Sequence, residues 1–80
     1  MAFRVLLIEN EVTIKVKLNN LIVTKKGEDI WIPLDDISMI VVDNLSSMIS
    51  MRILCQLSEQ GIGLIICNQK HLPTGYYGAY

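Results

Sequence analysis

Hydrophobic and polar residues alternate along the first half of the chain in a pattern that predicts β-strands. The stretch VTIKVKL puts its aliphatic residues on one face and threonine and two lysines on the other, as a half-buried strand does. Asn19-Asn20 and Lys26-Gly27 are suited to tight turns, and Pro33 ends the last strand. The predicted strands are residues 3–8, 12–18, 21–25 and 30–32. The last three are expected to form an antiparallel meander.

The second half of the chain predicts a strand, a helix and a strand. Residues 37–42 and 64–67 are nearly continuous apolar runs, which suit strands buried on both faces. Residues 45–60 are predicted to be helical, with N-cap residues in 43–46 and a stop at Gly61. Two strands joined through a helix are expected to lie parallel, with a right-handed crossover. The fold class is therefore α+β: a small antiparallel meander plus a strand–helix–strand unit with one main helix.

The polar strip of the predicted helix is narrow for a helix that covers one face of a sheet. It contains Arg52, Gln56 and Glu59, and most other positions are apolar or small. The whole 80-residue chain is 51% hydrophobic, with a mean hydropathy of +0.40. That is rich for so small a domain, and it predicts apolar surface used by another domain or subunit. The candidate interface residues are Met48, Met51, Tyr76 and Tyr77.

Charge and cysteine content narrow the class of protein further. A formal net charge of −1 argues against a freestanding nucleic-acid binder, which usually carries a basic patch. The apolar stretch at the start of the sequence is too short for a signal peptide to be expected, and no apolar run is long enough to cross a membrane. A cytoplasmic protein without a membrane partner is expected, with Cys55 and Cys67 as buried, reduced thiols.

A few residues are candidates for chemistry, and each also has a simpler interpretation. Asp43 follows a predicted parallel strand, where ligand sites often lie, but the residue also suits a helix cap. His71 could act as a general base, although no nearby residues form a recognisable triad. Asp35 and Asp36 suit a polar turn better than a shared metal ion, since neighbours on an extended chain point to opposite faces.

Four lysines on the predicted hairpins could contact DNA phosphates or could simply keep the surface soluble. They are Lys15, Lys17, Lys25 and Lys26. The tyrosines near the end of the chain, including Tyr80, could stack on bases or pack against another domain.

The order of these segments resembles a known family. The hairpin KLNNLIV is followed by WIPLDDISMIVVD, a helix, GIGLIICN and the tail NQKHLPTG. Together they are similar to the β-rich, sandwich-like N-terminal domain of the CRISPR-associated spacer-acquisition integrase, an endonuclease, in its type II form. The resemblance covers all 80 residues. It implies a dimerisation domain at residues 1–68 and, at residues 69–80, the start of the connection to a helical catalytic domain.

The resemblance also implies the function and the partners. Family members bind Mg or Mn in the helical domain, through a glutamate, a histidine and a further acidic residue that have no counterparts here. The implied role of this chain is dimerisation and DNA positioning, without catalytic, cofactor-binding or metal-binding residues of its own, so the chain alone is expected to be inactive. The implied partners are a second copy, the small ferredoxin-like CRISPR adaptation protein, and DNA. The alternative is a self-contained interaction module or a hydrolytic domain that uses Asp43 and His71.

Overall fold

Eight strands and one α-helix make up the part of the protein that the computed structural model describes, residues 4–78. In chain order the elements are β1 (Arg4–Ile8), β2 (Thr13–Lys17), β3 (Asn20–Lys25), β4 (Glu28–Pro33), a 3₁₀ turn (Leu34–Asp36), β5 (Ile37–Val42), β6 (Met48–Ile49), α1 (Met51–Glu59), β7 (Gly63–Cys67) and β8 (Pro73–Tyr77). Asp35 and Asp36 thus lie in a short polar turn, as expected. Phe3 and Tyr80, which the sequence placed in a strand and in the tail, lie outside the described residues.

Sheet B, in the order β4-β3-β2-β6, contains the predicted antiparallel meander. Both of its hairpins turn through two residues with positive φ: Leu18 and Asn19 (52° and 59°), then Lys26 and Gly27 (52° and 80°). These are the angles of type I′ turns, whose twist matches that of the flanking strands. The first turn therefore lies one residue earlier than predicted. Leu18, expected to face the core, is 78% exposed in the turn instead.

Sheet A, in the order β1-β5-β7-β8, is parallel across its first three strands. β5 and β7 are neighbours, which confirms the predicted parallel pair joined through a helix. β8 lies within residues 69–80, the predicted connection, and pairs antiparallel with β7. Part of that segment is therefore a strand of the domain.

The helix is shorter than predicted. Residues 43–47 form a loop, in which the Asn44 side chain accepts a hydrogen bond from the Ser46 amide, and β6 pairs with β2 before the helix begins. Ser50 caps α1 by accepting from the Ile53 amide at 3.2 Å. The sequence signals at residues 43–46 were therefore those of a loop.

The helix ends in a Schellman motif. The Ile62 amide donates to the Leu57 carbonyl at 2.9 Å, and the Gly61 amide donates to the Ser58 carbonyl at 3.0 Å. Gly61 has φ 78°, the left-handed conformation that this motif requires. Leu57 and Ile62 are both buried, so the motif fixes the direction in which the chain leaves the helix for β7.

The core lies between the two sheets, with α1 packed against it. It consists of the buried residues Ile8, Val12, Ile14, Leu21, Val23, Ile32, Leu34, Ile37, Ile40, Val42, Leu57, Ile62 and Leu64. Leu57 is the buried residue that α1 contributes. The two cysteines differ: Cys67 is buried as predicted, whereas Cys55 is exposed on α1. The prediction for Cys55 was wrong because its apolar neighbours in sequence lie on another side of the helix.

Candidate functional site

Polar residues follow the carboxyl ends of the three parallel strands of sheet A. β1, β5 and β7 end side by side, since Ile8 pairs with Val42 and Val42 pairs with Ile66. The residues that follow include Glu9, Asp43 and Asn68, which line an open cleft of about 300 Å³ together with Asn44, Leu45, Gln69 and His71. Clefts at this edge of parallel sheets commonly bind ligands.

Asp43 and His71 meet in this cleft although they are far apart in sequence. Both carboxylate oxygens of Asp43 lie 2.9 Å from Nδ1 of His71. The Asp43 side chain is 15% exposed and that of His71 is 75% exposed. The simpler interpretation of Asp43 was a helix cap. The structure corrects this interpretation, because Ser50 caps α1, and it pairs Asp43 with His71.

The backbone on both sides of the pair is held in place. The Asp43 amide donates to the Ile8 carbonyl at 2.7 Å. On the other side, the Asn68 side chain accepts from the amides of Lys70 and Leu72, at 2.9 and 3.1 Å. His71 itself has φ 62°. The loop between β7 and β8 therefore presents the imidazole to Asp43 in a defined position.

This arrangement orients a histidine but does not form a metal centre. A carboxylate that holds Nδ1–H leaves Nε2 as the imidazole's outward-facing nitrogen. Within residues 4–78, however, histidine, cysteine and carboxylate side chains form no group of three that could hold a metal ion. The residues present do not fit a divalent-metal site. The pair can exchange a proton or a hydrogen bond with a ligand in the cleft.

The four candidate lysines do not lie together. Lys15 and Lys17 alternate with buried Ile14 on β2, so both project from the outer face of sheet B. Lys25 is partly buried on β3, on the same side as core residue Val23, and Lys26 lies in the turn. The structure therefore separates one outward-facing pair from two lysines at the other end of the meander.

The outer face of sheet B that carries Lys15 and Lys17 is the lysine face. Trp31 is an exposed aromatic residue on this face, and the sequence reasoning did not single it out. Lys15 pairs with Ile22 on β3, and Ile22 pairs with Trp31 on β4, so the three side chains form one row across the outer face. The strand pattern contained the signal, because Ile32 is buried and its neighbour must point the other way.

The four candidate interface residues lie on different surfaces. Met48 and Met51 are exposed where β6 leads into α1, and Met48 borders an apolar groove between the sheets. Tyr76 pairs with Ile65 and lies on the outer face of sheet A. Tyr77 pairs with Leu64 and turns toward the opposite face, near the core. No helix of the described chain is long and apolar enough to cross a membrane.

Both thiols are held in their protonated form. Cys55 Sγ donates a hydrogen bond to Glu59 Oε1 at 3.3 Å. This hydrogen bond and the negative charge of the Glu59 carboxylate raise the pKa of Cys55. Burial, and the nearby charge of Asp43, raise the pKa of Cys67. Neither cysteine therefore has the lowered pKa that activates a nucleophilic thiolate.

Within residues 4–78, two sheets and one α-helix define a small β-rich domain, and comparison with known proteins identifies its family. Residues 5–79 match the family model described as CRISPR associated protein Cas1. The chain belongs to that family. It is 32% identical over 80 residues to the CRISPR-associated endonuclease Cas1 of Neisseria meningitidis serogroup C (strain 8013), and it spans 26% of the length of that relative.

Solved structures share the fold. A Cas1 protein from Thermotoga maritima superposes with a TM-score of 0.84 at 20% identity, over 95% of this chain and 25% of that one. A chain of a partial Cas6-RT-Cas1–Cas2 complex gives a TM-score of 0.83 at 20% identity, over 100% of this chain and 24% of that one. A casposase bound to its integration product gives 0.66 at 13% identity, over 95% and 25%. The predicted β-rich N-terminal fold of this family is thus confirmed.

Proposed function

We propose that this chain is the dimerisation and DNA-positioning domain of a metal-dependent CRISPR spacer-acquisition integrase. The observation that carries the proposal is the 32% identity over all 80 residues to a protein described as an endonuclease of this family. The chain spans 26% of that relative, and the part proposed for it in the reaction is structural. DNA cleavage and integration belong to the whole protein.

The divalent metal, Mg or Mn, is assigned to a separate helical domain. The chain alone would therefore be inactive as a nuclease. Among the described residues, Asp43 and His71 form a two-membered carboxylate–imidazole pair. Residues 69–80 lead toward the helical domain, and β8 attaches them to sheet A on the way.

The proposed protein partners are a second copy of the chain and the small ferredoxin-like CRISPR adaptation protein. The matching Cas6-RT-Cas1–Cas2 assemblies, which contain a Cas2 partner, support the second assignment.

DNA contact is assigned first to Lys15 and Lys17, since both project from one exposed face beside Trp31. Lys25 and Lys26 form a second, weaker candidate pair. Each lysine–phosphate contact changes the slope of log K against log salt by roughly 0.9. Replacing both outward-facing lysines with glutamine should lower the slope by about 2 and weaken binding to all sequences alike.

Fluorescence anisotropy with labelled duplex DNA at several salt concentrations measures this effect. The matched control replaces Arg4 and Arg52, two exposed cations outside the candidate lysine set, with glutamine and so removes equal charge. Equal losses from both double variants would indicate a general charge effect and would contradict the assignment of the lysine face. An unchanged slope in the Lys15/Lys17 variant would do the same.

The pairing of Asp43 with His71 at 2.9 Å favours one second candidate, a hydrolytic function for the cleft. In that case His71 Nε2 would accept a proton from water and Asp43 would orient the ring. A metal-dependent DNA cleavage assay of this chain separates the two functions. Turnover that His71→Ala abolishes would support hydrolysis and refute the inactive, positioning role. Cleavage that survives His71→Ala would refute hydrolysis by this pair.

A further inference from the structure

The lysine face of sheet B contains a buried residue that does not belong to the core. Ile22 is 6% exposed, yet it points outward, between the core residues Leu21 and Val23 on β3. Its partners in register are Lys15 on β2 and Trp31 on β4. Directly paired residues on neighbouring strands have Cβ atoms about 5 Å apart. The aliphatic stem of Lys15 and the indole of Trp31 therefore cover Ile22 from its two sides.

This packing leaves part of the Trp31 indole open to a ligand. Trp31 is 47% exposed, so about half of the side chain lies against the sheet and the rest meets solvent. Its backbone is held within β4, which pairs with β3 along its whole length. An aromatic side chain presented in this way offers a flat contact surface at low entropic cost. The ring is thus positioned to stack with a second planar group.

The charges on the lysine face indicate what carries that planar group. Lys15 and Lys17 are exposed on β2, which lies two strand spacings, or about 10 Å, from β4. The long, flexible lysine side chains span much of that distance. Asp29 lies on the same face, two residues from Trp31, and accepts a hydrogen bond from the Thr24 hydroxyl at 2.7 Å. Cations on one side of the face and an aromatic ring on the other match the phosphate and the base of a nucleotide.

Unpaired DNA fits this arrangement better than a duplex or an acidic protein segment. Along a duplex the bases stack on one another and present their edges in the grooves, so an indole has no base face to contact. An acidic protein segment would pair with the lysines and leave the indole unused. An unpaired strand presents base faces beside its phosphates, and base–aromatic stacking tolerates any sequence.

We propose that the lysine face binds an unpaired stretch of DNA, with Trp31 stacking on one base and Lys15 and Lys17 contacting the phosphates beside it. This inference rests on the DNA-positioning function proposed above and names the form of DNA that the face takes.

Fluorescence titration of the unaltered chain tests the stacking directly. Trp31 is the only tryptophan among the 80 residues, so the indole signal reports on this ring alone. At low salt, a single-stranded oligothymidylate should quench the signal, whereas an abasic strand with the same number of phosphates should quench it far less. Equal quenching by the two strands at equal affinity would show binding by charge alone and would overturn the stacking.

Substitution at Trp31 gives a second measurement. Trp31→Ala should weaken binding of the oligothymidylate about 5- to 100-fold, the effect of removing one base–aromatic stack, and should leave affinity for duplex DNA the same. Trp31→Phe keeps a ring and should retain most of the affinity. The matched control, Tyr76→Ala, removes an exposed aromatic ring from sheet A and should not change binding. Circular dichroism establishes that each variant folds.

The outcomes separate this inference from the proposed function. Binding that requires Lys15 and Lys17 but survives Trp31→Ala would overturn the stacking and leave DNA positioning by the lysine face standing. Equal losses from Trp31→Ala and Tyr76→Ala would overturn the stacking as well. A chain that binds neither single-stranded nor duplex DNA at low salt would overturn both the stacking and the assignment of DNA contact to this face.

Discussion

Replacing Leu57 with alanine should destabilise the domain more than an exposed leucine substitution. Leu57 is 1% exposed and is the buried residue of α1. Removing three carbon atoms at about 0.8 kcal/mol each costs about 2.4 kcal/mol in lost burial. A residual cavity raises the total to about 3–5 kcal/mol. An 80-residue domain is stable by only about 4–12 kcal/mol, so the change removes a large part of that stability.

Urea unfolding followed by circular dichroism measures the loss, with Leu45→Ala as the control. Leu45 is mostly exposed, so its truncation should cost less than about 0.5 kcal/mol. The melting temperature of Leu57→Ala should fall by about 12–40 °C, at about 4–8 °C per kcal/mol for a domain of this size.

Hydrogen exchange shows whether Leu57→Ala destabilises the whole domain or mainly the helix α1. The alanine variant keeps the Leu57 carbonyl, which accepts from the Ile62 amide in the Schellman motif. If the side chain anchors the helix, the amides of α1 should exchange faster than those of β3. A loss below about 1 kcal/mol, or equal losses from both leucine variants, would refute the assignment of Leu57 as the anchor.

Three further changes test local features. Leu18→Asn should stabilise the chain by about 0.5–1 kcal/mol, because asparagine tolerates the positive φ of this turn; an unchanged or lower urea midpoint would contradict the turn assignment. Glu59→Gln should speed alkylation of Cys55 by iodoacetamide near neutral pH. Without the carboxylate the raised pKa of Cys55 falls toward its ordinary value, so a larger fraction of the thiol is ionised. Unchanged kinetics would show that Glu59 does not control this thiol. Asn68→Ala should cost about 1 kcal/mol and accelerate exchange of the Leu72 amide, since its acceptor is lost; retained protection would argue against the loop assignment.

The strands were predictable where one pattern dominates. The alternation over residues 12–18 predicted β2 and its buried face, and the apolar runs predicted β5 and β7. The pattern failed at Leu18, because a two-residue turn took a hydrophobic residue that alternation alone would place in the core. It failed again at the start of the helix. The segment around Met48 and Ile49 is apolar enough for either structure, and pairing with β2 made it a strand.

The cleft was predictable only in its parts. Asp43 and His71 each stood out in the sequence, but their contact depends on the tertiary arrangement of β5 and the loop after β7. The hydrophobic excess of the sequence predicted an exposed apolar surface, and the outer face of sheet A is such a surface. Its location required knowledge of the register, which aligns residues from four separate strands in one row. Trp31 shows the converse, since the alternation of side chains along β4 directs it away from the buried Ile32.

The brevity of β6 restricts where another strand can join the protein. β6 pairs only with Thr13 and Ile14, after which the chain becomes α1 and runs beside the rest of β2, with the Gln60 side chain reaching Asn19. A helix in that position blocks strand addition. At the opposite edge of sheet B, β4 begins with two carboxylates and ends at a proline without an amide hydrogen. The edges of sheet A are β1 and β8, and β8 carries no charged side chain, although it begins at Pro73, which also lacks an amide hydrogen.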